Sequence, residues 1–177
     1  MGKYINIENK QYSMTIEFNI LGTIHSPHTQ LEGMPIQPTG AKGIKGEIHL
    51  KDEYKAGLKD IDGFSHLILI YHLHKTNGNA LEVKPFMDKN THGVFATRSP
   101  KRPNNIGMTV VALNDVDYDD GILYVSNVDI LDGTPLIDIK PYVPQLYEDT
   151  IVDLRIGWFE TKHQKAKNQK ADDRFIK

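Results

Sequence analysis

The chain has 177 residues, 39% hydrophobic and 25% charged, with a net charge of -2 and no cysteine. That length fits about one domain with a core that needs no covalent staple, and the ordinary composition excludes collagen-like, coiled-coil and wholly disordered chains. The missing cysteine removes disulfides, thiolate zinc sites, iron–sulfur clusters and a cysteine nucleophile together, the near-neutral charge argues against a uniformly basic nucleic-acid binder, and no apolar run approaches the roughly 18 residues that cross a bilayer.

Residues 1–13 read as a polar leader without the apolar core of a secretion signal, which points to the cytoplasm. Ile16, Phe18 and Ile20 alternate with polar residues, which predicts a first strand ended by Ser26-Pro27. Residues 27–42 carry three prolines, Gly33 and Gly40, so they form a long loop of the kind that serves function. Ile44, Gly46, Ile48 and Leu50 alternate as a second strand, and 53–61 predicts a short helix stopped near Gly63. Residues 64–74 read as a central strand apolar on both faces. Further strands are expected over 93–97 and 108–116, then a turn at Asp119-Asp120-Gly121 and a returning hairpin strand over 122–131. A last strand is expected over 151–159, and 162–174 reads as a polar helix or a frayed tail. These elements predict a mainly β, single-domain antiparallel barrel with short helices over 14–160, followed by a basic tail over 161–177.

Charge is unevenly distributed. Residues 89–102 hold four basic residues and no acid, whereas 103–139 hold seven aspartates and no Lys or Arg. Within the basic stretch, Arg98 enters a loop stiffened by Pro100 and Pro103. An arginine held by a rigid loop suits bidentate binding of a carboxylate or phosphate; the competing reading is a structural arginine paired with a nearby aspartate. Lys101 and Arg102 together suit phosphate contacts on RNA. Asp132-Gly133-Thr134-Pro135 is a turn signature, and such a turn also projects N–H groups and a carboxylate toward a polar ligand. His66, His72 and His74 share parity on the predicted strand, which raises a zinc reading, although no motif spacing supports it. Gly40, Gly43 and Gly46 do not make the dinucleotide fingerprint, and neither a Walker loop nor a G-x-S-x-G elbow is present.

Five strings together resemble the TsaA/TrmO family. They are Gly22-Thr23-Ile24-His25-Ser26-Pro27, Gly63-Phe64-Ser65-His66-Leu67, Gly93-Val94-Phe95-Ala96-Thr97-Arg98-Ser99-Pro100, Arg102-Pro103-Asn104-Asn105-Ile106-Gly107, and the run from Leu131 to Tyr142. They follow the family's order. The resemblance implies a non-Rossmann β-barrel that uses S-adenosylmethionine to methylate N6 of threonylcarbamoyl-adenosine beside the anticodon of tRNA, as a homodimer with the cofactor pocket near the subunit interface.

Carried over by position, the resemblance implies a cofactor site containing Pro35, Ile36 and Gln37, Ser65 and His66, Arg98, and Leu131, Asp132, Gly133 and Thr134. Ile36 stands where the family's loop often carries Arg. Longer members have a further C-terminal domain, so the sequence reads as a short form. Lys101, Arg102, Asn104, Lys140 and Tyr142 are expected to meet RNA. The target nitrogen lies beside a carbonyl, so a proton acceptor is expected, and His66 and Asp138 are the candidates. No metal is expected. The alternatives are a non-catalytic module that binds S-adenosylmethionine or a nucleotide, and a His-ligated metal protein.

Overall fold

A computed structural model describes residues 16–148, 155–160 and 163–172. Its strands are β1 (Gly22–His25), β2 (Lys45–Leu50), β3 (His66–His72), β4 (Glu82–Val83), β5 (His92–Gly93), β6 (Ile106–Asp117), β7 (Ile122–Ser126) and β8 (Thr134–Pro141), followed by one turn of helix, α1 (Gln145–Glu148). Six of them close into an antiparallel barrel in the order β1-β2-β7-β6-β3-β8; β4 and β5 pair separately. No helix among the described residues is long and apolar enough to cross a membrane.

Alternation builds the barrel. Ile24, Ile48, Leu67, Leu69, Val111, Leu123, Val125 and Leu136 point inward and are fully buried, each contributing about 1.5–3 kcal/mol of transfer free energy. The outer positions of β3 and β6 are apolar too: Ile68 lies opposite Val110, and Ile70 opposite Met108. Tyr71 faces inward opposite Gly107. A Cβ on Gly107 would come within 2.6 Å of the Tyr71 Cζ, so only glycine lets that ring lie across the strand.

The expected barrel is present, with shifted element bounds. The strand expected at Ile16 begins at Gly22, where Leu50 and Leu136 supply ladder partners; Ile16 and Phe18 are 66% and 54% exposed. The strand expected over 93–97 is a 3-10 turn at Val94–Ala96, because the Val94 carbonyl is taken by Thr97 and Arg102. β3 stops at His72, where Leu73 N turns to Asn105 O. β7 stops at Ser126 because Asn127 adopts φ 69°, a left-handed conformation that Asn tolerates. β8 has no counterpart among the expected strands, since prolines at both ends mask it. The short helix expected over 53–61 is a 3-10 helix, Asp52–Leu58, which inserts Leu58 under the barrel. Residues 157–159 form a 3-10 turn rather than a strand; 151–154 and the leader lie outside the described residues. The described part of the tail packs back: Ala171 exchanges backbone hydrogen bonds with Gly33 and Met34, and Lys170 bridges Pro35.

Candidate functional site

The connection from β7 to β8 is held to the loop after β1 by an array of hydrogen bonds. Ser26 Oγ donates to Ile130 O at 2.6 Å, Asp132 N donates to His28 O at 2.8 Å, and Gly133 N donates to Ile24 O at 3.0 Å. The Asp132 carboxylate accepts from Ser26 N and pairs with His25 Nδ1, both at 3.1 Å. Donation from the Ser26 amide holds the Asp132 carboxyl below its ordinary range, with His25 adding to the effect. Gly133 supplies the φ of 73° that the turn needs. Thr134 then buries its hydroxyl, donating to Leu131 O at 2.7 Å.

The basic loop is also held from within. Arg102 donates to Val94 O and Thr97 O at 3.1 and 2.9 Å, and its guanidinium lies 5.8 Å from the Phe95 ring centre. Asn105 Nδ2 donates to Pro100 O at 3.0 Å. Trp158 donates to Ala96 O at 2.8 Å and stacks on His92 at 4.6 Å. Arg98 leaves this frame and reaches Met108 O at 2.8 Å.

These segments enclose a cavity of about 370 Å³, within the size range of small-ligand sites. Leu31, Met34, Pro35 and Ile36 make an apolar wall, joined by Phe86 and Trp158; Gln37, Arg98, Thr134 and Asp129 supply polar groups. Ile106 and Met108 line it and remain exposed, marking its mouth. Ala171 and Asp172 complete the wall from the C-terminal segment.

Two groups at this cavity are perturbed upward. Burial pushes the Tyr71 phenol far above its ordinary range, and the Asp129 charge adds to this. Burial also pushes the Asp129 carboxyl up, opposed by donation from Thr109 Oγ1 at 2.8 Å and by the charges of Arg98 and His28. A desolvated carboxyl lining a cavity is the kind of group that acid–base chemistry uses.

The structure brings Pro35, Ile36, Gln37, Arg98, Leu131 and Thr134 to this cavity, with Arg102 at its edge. Asp132 and Gly133 adjoin it but spend their groups on the turn. Ser65 and His66 bond to each other at 2.9 Å at the far end of β3, and Tyr142 N donates to His66 O. Asp138 pairs with Lys140 at 2.8 Å on β8. Lys101 and Asn104 stand on the basic loop, outside the lining. His66 lies five positions before Tyr71 along β3, about 16 Å at a strand's rise, and Asp138 lies opposite Ile70 on the outer face; neither lines the cavity of its own chain.

The histidines do not converge either: β3 ends at His72, and His74 turns back to line the cavity, 3.5 Å from the Thr134 hydroxyl. Among the described residues no three His, Cys, Asp or Glu are placed to hold a metal ion. Sequence reasoning missed Asp129 and Tyr71, and named His74 only in the zinc reading. Asp129 left one signal, an acid between the buried Val128 and Ile130.

The family model for the tRNA-methyltransferase O N-terminal domain matches residues 23–148. A Pyrococcus abyssi protein named as a probable S-adenosyl-L-methionine-binding protein is 48% identical, over 92% of this chain and 86% of its own length. The Escherichia coli K12 tRNA (adenine(37)-N6)-methyltransferase is 39% identical, over 73% of this chain and 59% of its own length. The crystal structure of TrmO from Pseudomonas aeruginosa superposes with a TM-score of 0.67 at 34% identity, covering 84% of this chain and 63% of that one. The chain thus spans most of the Pyrococcus relative but about three fifths of the two others. With the barrel, the cavity and these matches in agreement, the chain belongs to the tRNA-methyltransferase O N-terminal domain family.

Proposed function

We propose that the chain is an S-adenosylmethionine-dependent tRNA methyltransferase acting on N6 of the adenine beside the anticodon, with threonylcarbamoyl-adenosine as the modified base. The observation that carries this is the convergence of three distant segments on one cavity: Pro35 to Gln37, Arg98, and Leu131 with Thr134. The residues fit the cofactor. Leu31, Met34 and Ile36 offer an apolar wall to its adenosine, Gln37 and Thr134 offer polar contacts, and Arg98 suits its carboxylate. The Tyr71 ring answers the positive sulfonium. When bound, that group supplies an electrophilic methyl carbon; the chain's own task is alignment and exclusion of water.

The homodimer and the cytoplasmic location belong to the same reading. The outer face of β3 and β6 carries Ile68, Ile70, Val110 and Met108 in one strip, and Met108 belongs also to the cavity mouth. A second copy covering this strip lies beside the cavity, so its Ser65, His66 and Asp138 can reach a site that they do not reach in their own chain. Sedimentation tests the dimer. In mixed dimers, an Arg98→Ala chain and a His66→Ala chain, each inactive alone, restore activity together if the site is shared. Lys101, Asn104, Lys140 and Tyr142 are the RNA contacts in this reading; replacing one phosphate-binding lysine lowers the salt slope of RNA binding by about 1.

The test is calorimetric titration with S-adenosylmethionine, followed by transfer of a labelled methyl group to tRNA. Binding with transfer supports the reading. Binding without transfer to any RNA supports the second one, a non-catalytic cofactor-binding module, which the Pyrococcus relative's name favours.

A further inference from the structure

We propose that Asp129 is the catalytic proton acceptor, taking the proton that leaves the target nitrogen as the methyl group is transferred. The inference rests on the methyltransferase reading and assigns a chemical role inside that site. An amide-like nitrogen is a poor nucleophile while it keeps its proton. A carboxylate in a desolvated cavity is a strong enough base to take it, and it must lie in the cavity where the methyl group is presented.

Asp129 meets these conditions. It lines the cavity directly, together with Tyr71 of β3, Arg98 of the basic loop and Thr134 of β8. The left-handed Asn127 ends β7, and buried Val128 and Ile130 flank Asp129 on both sides, so the backbone that presents the carboxylate is anchored. Thr109 Oγ1 of β6 fixes one oxygen at 2.8 Å. Among the described residues no ion pair neutralises it: one guanidinium nitrogen of Arg98 donates to Met108 O at 2.8 Å, and His28 places its Nε2 on Val128 O at 3.1 Å. The two cations bias the carboxylate from a distance without occupying it. Burial raises the carboxyl above its ordinary range, which strengthens it as a base. Of the acceptors that the sequence suggests, His66 stands at the other end of β3, and Asp138, opposite Ile70 on the outer face, lines no cavity and is already paired with Lys140.

The step balances. The target nitrogen bonds to the methyl carbon as the carbon–sulfur bond breaks, and that electron pair leaves on sulfur. The nitrogen's proton passes to an Asp129 oxygen. One sulfonium and one carboxylate become a neutral thioether and a carboxylic acid, and bulk water later takes the proton.

The test uses the full chain, its tRNA and S-adenosylmethionine. Asp129→Asn is expected to bind the cofactor within a few-fold of wild type, keep its KM for tRNA, and lose about 10²–10⁴-fold in kcat. A readout without turnover comes from ¹³C-aspartate labelling. The carboxyl signal that disappears in Asp129→Asn is expected to titrate above the usual carboxylate range in the wild-type chain. Thr109→Val removes the donor and is expected to move both that titration and the acidic limb of the kcat profile to higher pH. If Asp129→Asn fails to fold, the matched shifts in Thr109→Val carry the test. An active wild type with an equally active Asp129→Asn overturns this inference alone, as does a loss confined to cofactor affinity. A wild type that binds the cofactor but methylates no RNA overturns the methyltransferase reading and this inference with it.

Discussion

Asp129 and Asp132 are three residues apart in one connection, and the fold treats them in opposite ways. Asp132 lies on a half-exposed turn, where Ser26 N and His25 meet its carboxylate and favour the charge. Asp129 lies at the cavity, where burial disfavours the charge more than the Thr109 hydroxyl and its own backbone N–H favour it. The first carboxylate is stabilised by its partners and holds two loops together. The second is costly to ionise and is available for chemistry. Equal side chains acquire different work because donors and solvent are distributed differently around them.

The largest expected effect separates rate from stability at the cavity. Asp129→Asn is expected to abolish most turnover, as above, while raising the melting temperature at neutral pH. The sign follows from linkage: a carboxyl raised in the fold binds more protons folded than unfolded. Stability therefore falls as pH rises from the unfolded pKa through the folded one, and the amide escapes that loss. A melting temperature that drops at pH 7 would show that the charge stabilises the fold, contrary to this account.

Next in size is Gly107→Ala. Its Cβ collides with the Tyr71 ring beside the cavity, and overpacking of this kind costs about 1–3 kcal/mol. Urea denaturation measures the loss, and cofactor affinity should fall in step because the ring lines the cavity. A variant as stable as wild type means that Tyr71 has room to move.

The smallest effect is expected at the turn. Asp132→Asn should cost under about 1 kcal/mol at pH 7, given its exposure, with kcat within a few-fold of wild type. Here the linkage sign reverses. The carboxyl is lowered in the fold, so its stabilisation is present above the ordinary carboxylate pKa and is lost as pH falls below it. Melting curves at pH 7 and pH 3 should therefore converge for variant and wild type at the lower pH. A difference that widens in acid contradicts the assignment.

The barrel was legible because Ile48, Leu67, Leu69 and Leu123 alternate with polar or outward residues, and alternation is a local signal. The first strand was misplaced because Ile16 and Phe18 alternate equally well but meet no partner strand; pairing is not written locally. β8 was hidden by its prolines. The segments 35–37, Arg98 and 131–134 were singled out by their strings, but Asp129 was not, since its character comes from burial beneath strands remote in sequence. The C-terminal residues Ala171 and Asp172 carry no signal that they close a cavity wall.

The most direct measurement is calorimetric titration with S-adenosylmethionine of the wild-type chain and of Ile36→Trp, which fills the cavity from its loop without touching the barrel core. The account predicts one cofactor per wild-type chain, and an affinity reduced at least tenfold in a variant with an unchanged circular dichroism spectrum. Equal affinity in the two proteins, or no binding by the wild type, would contradict it.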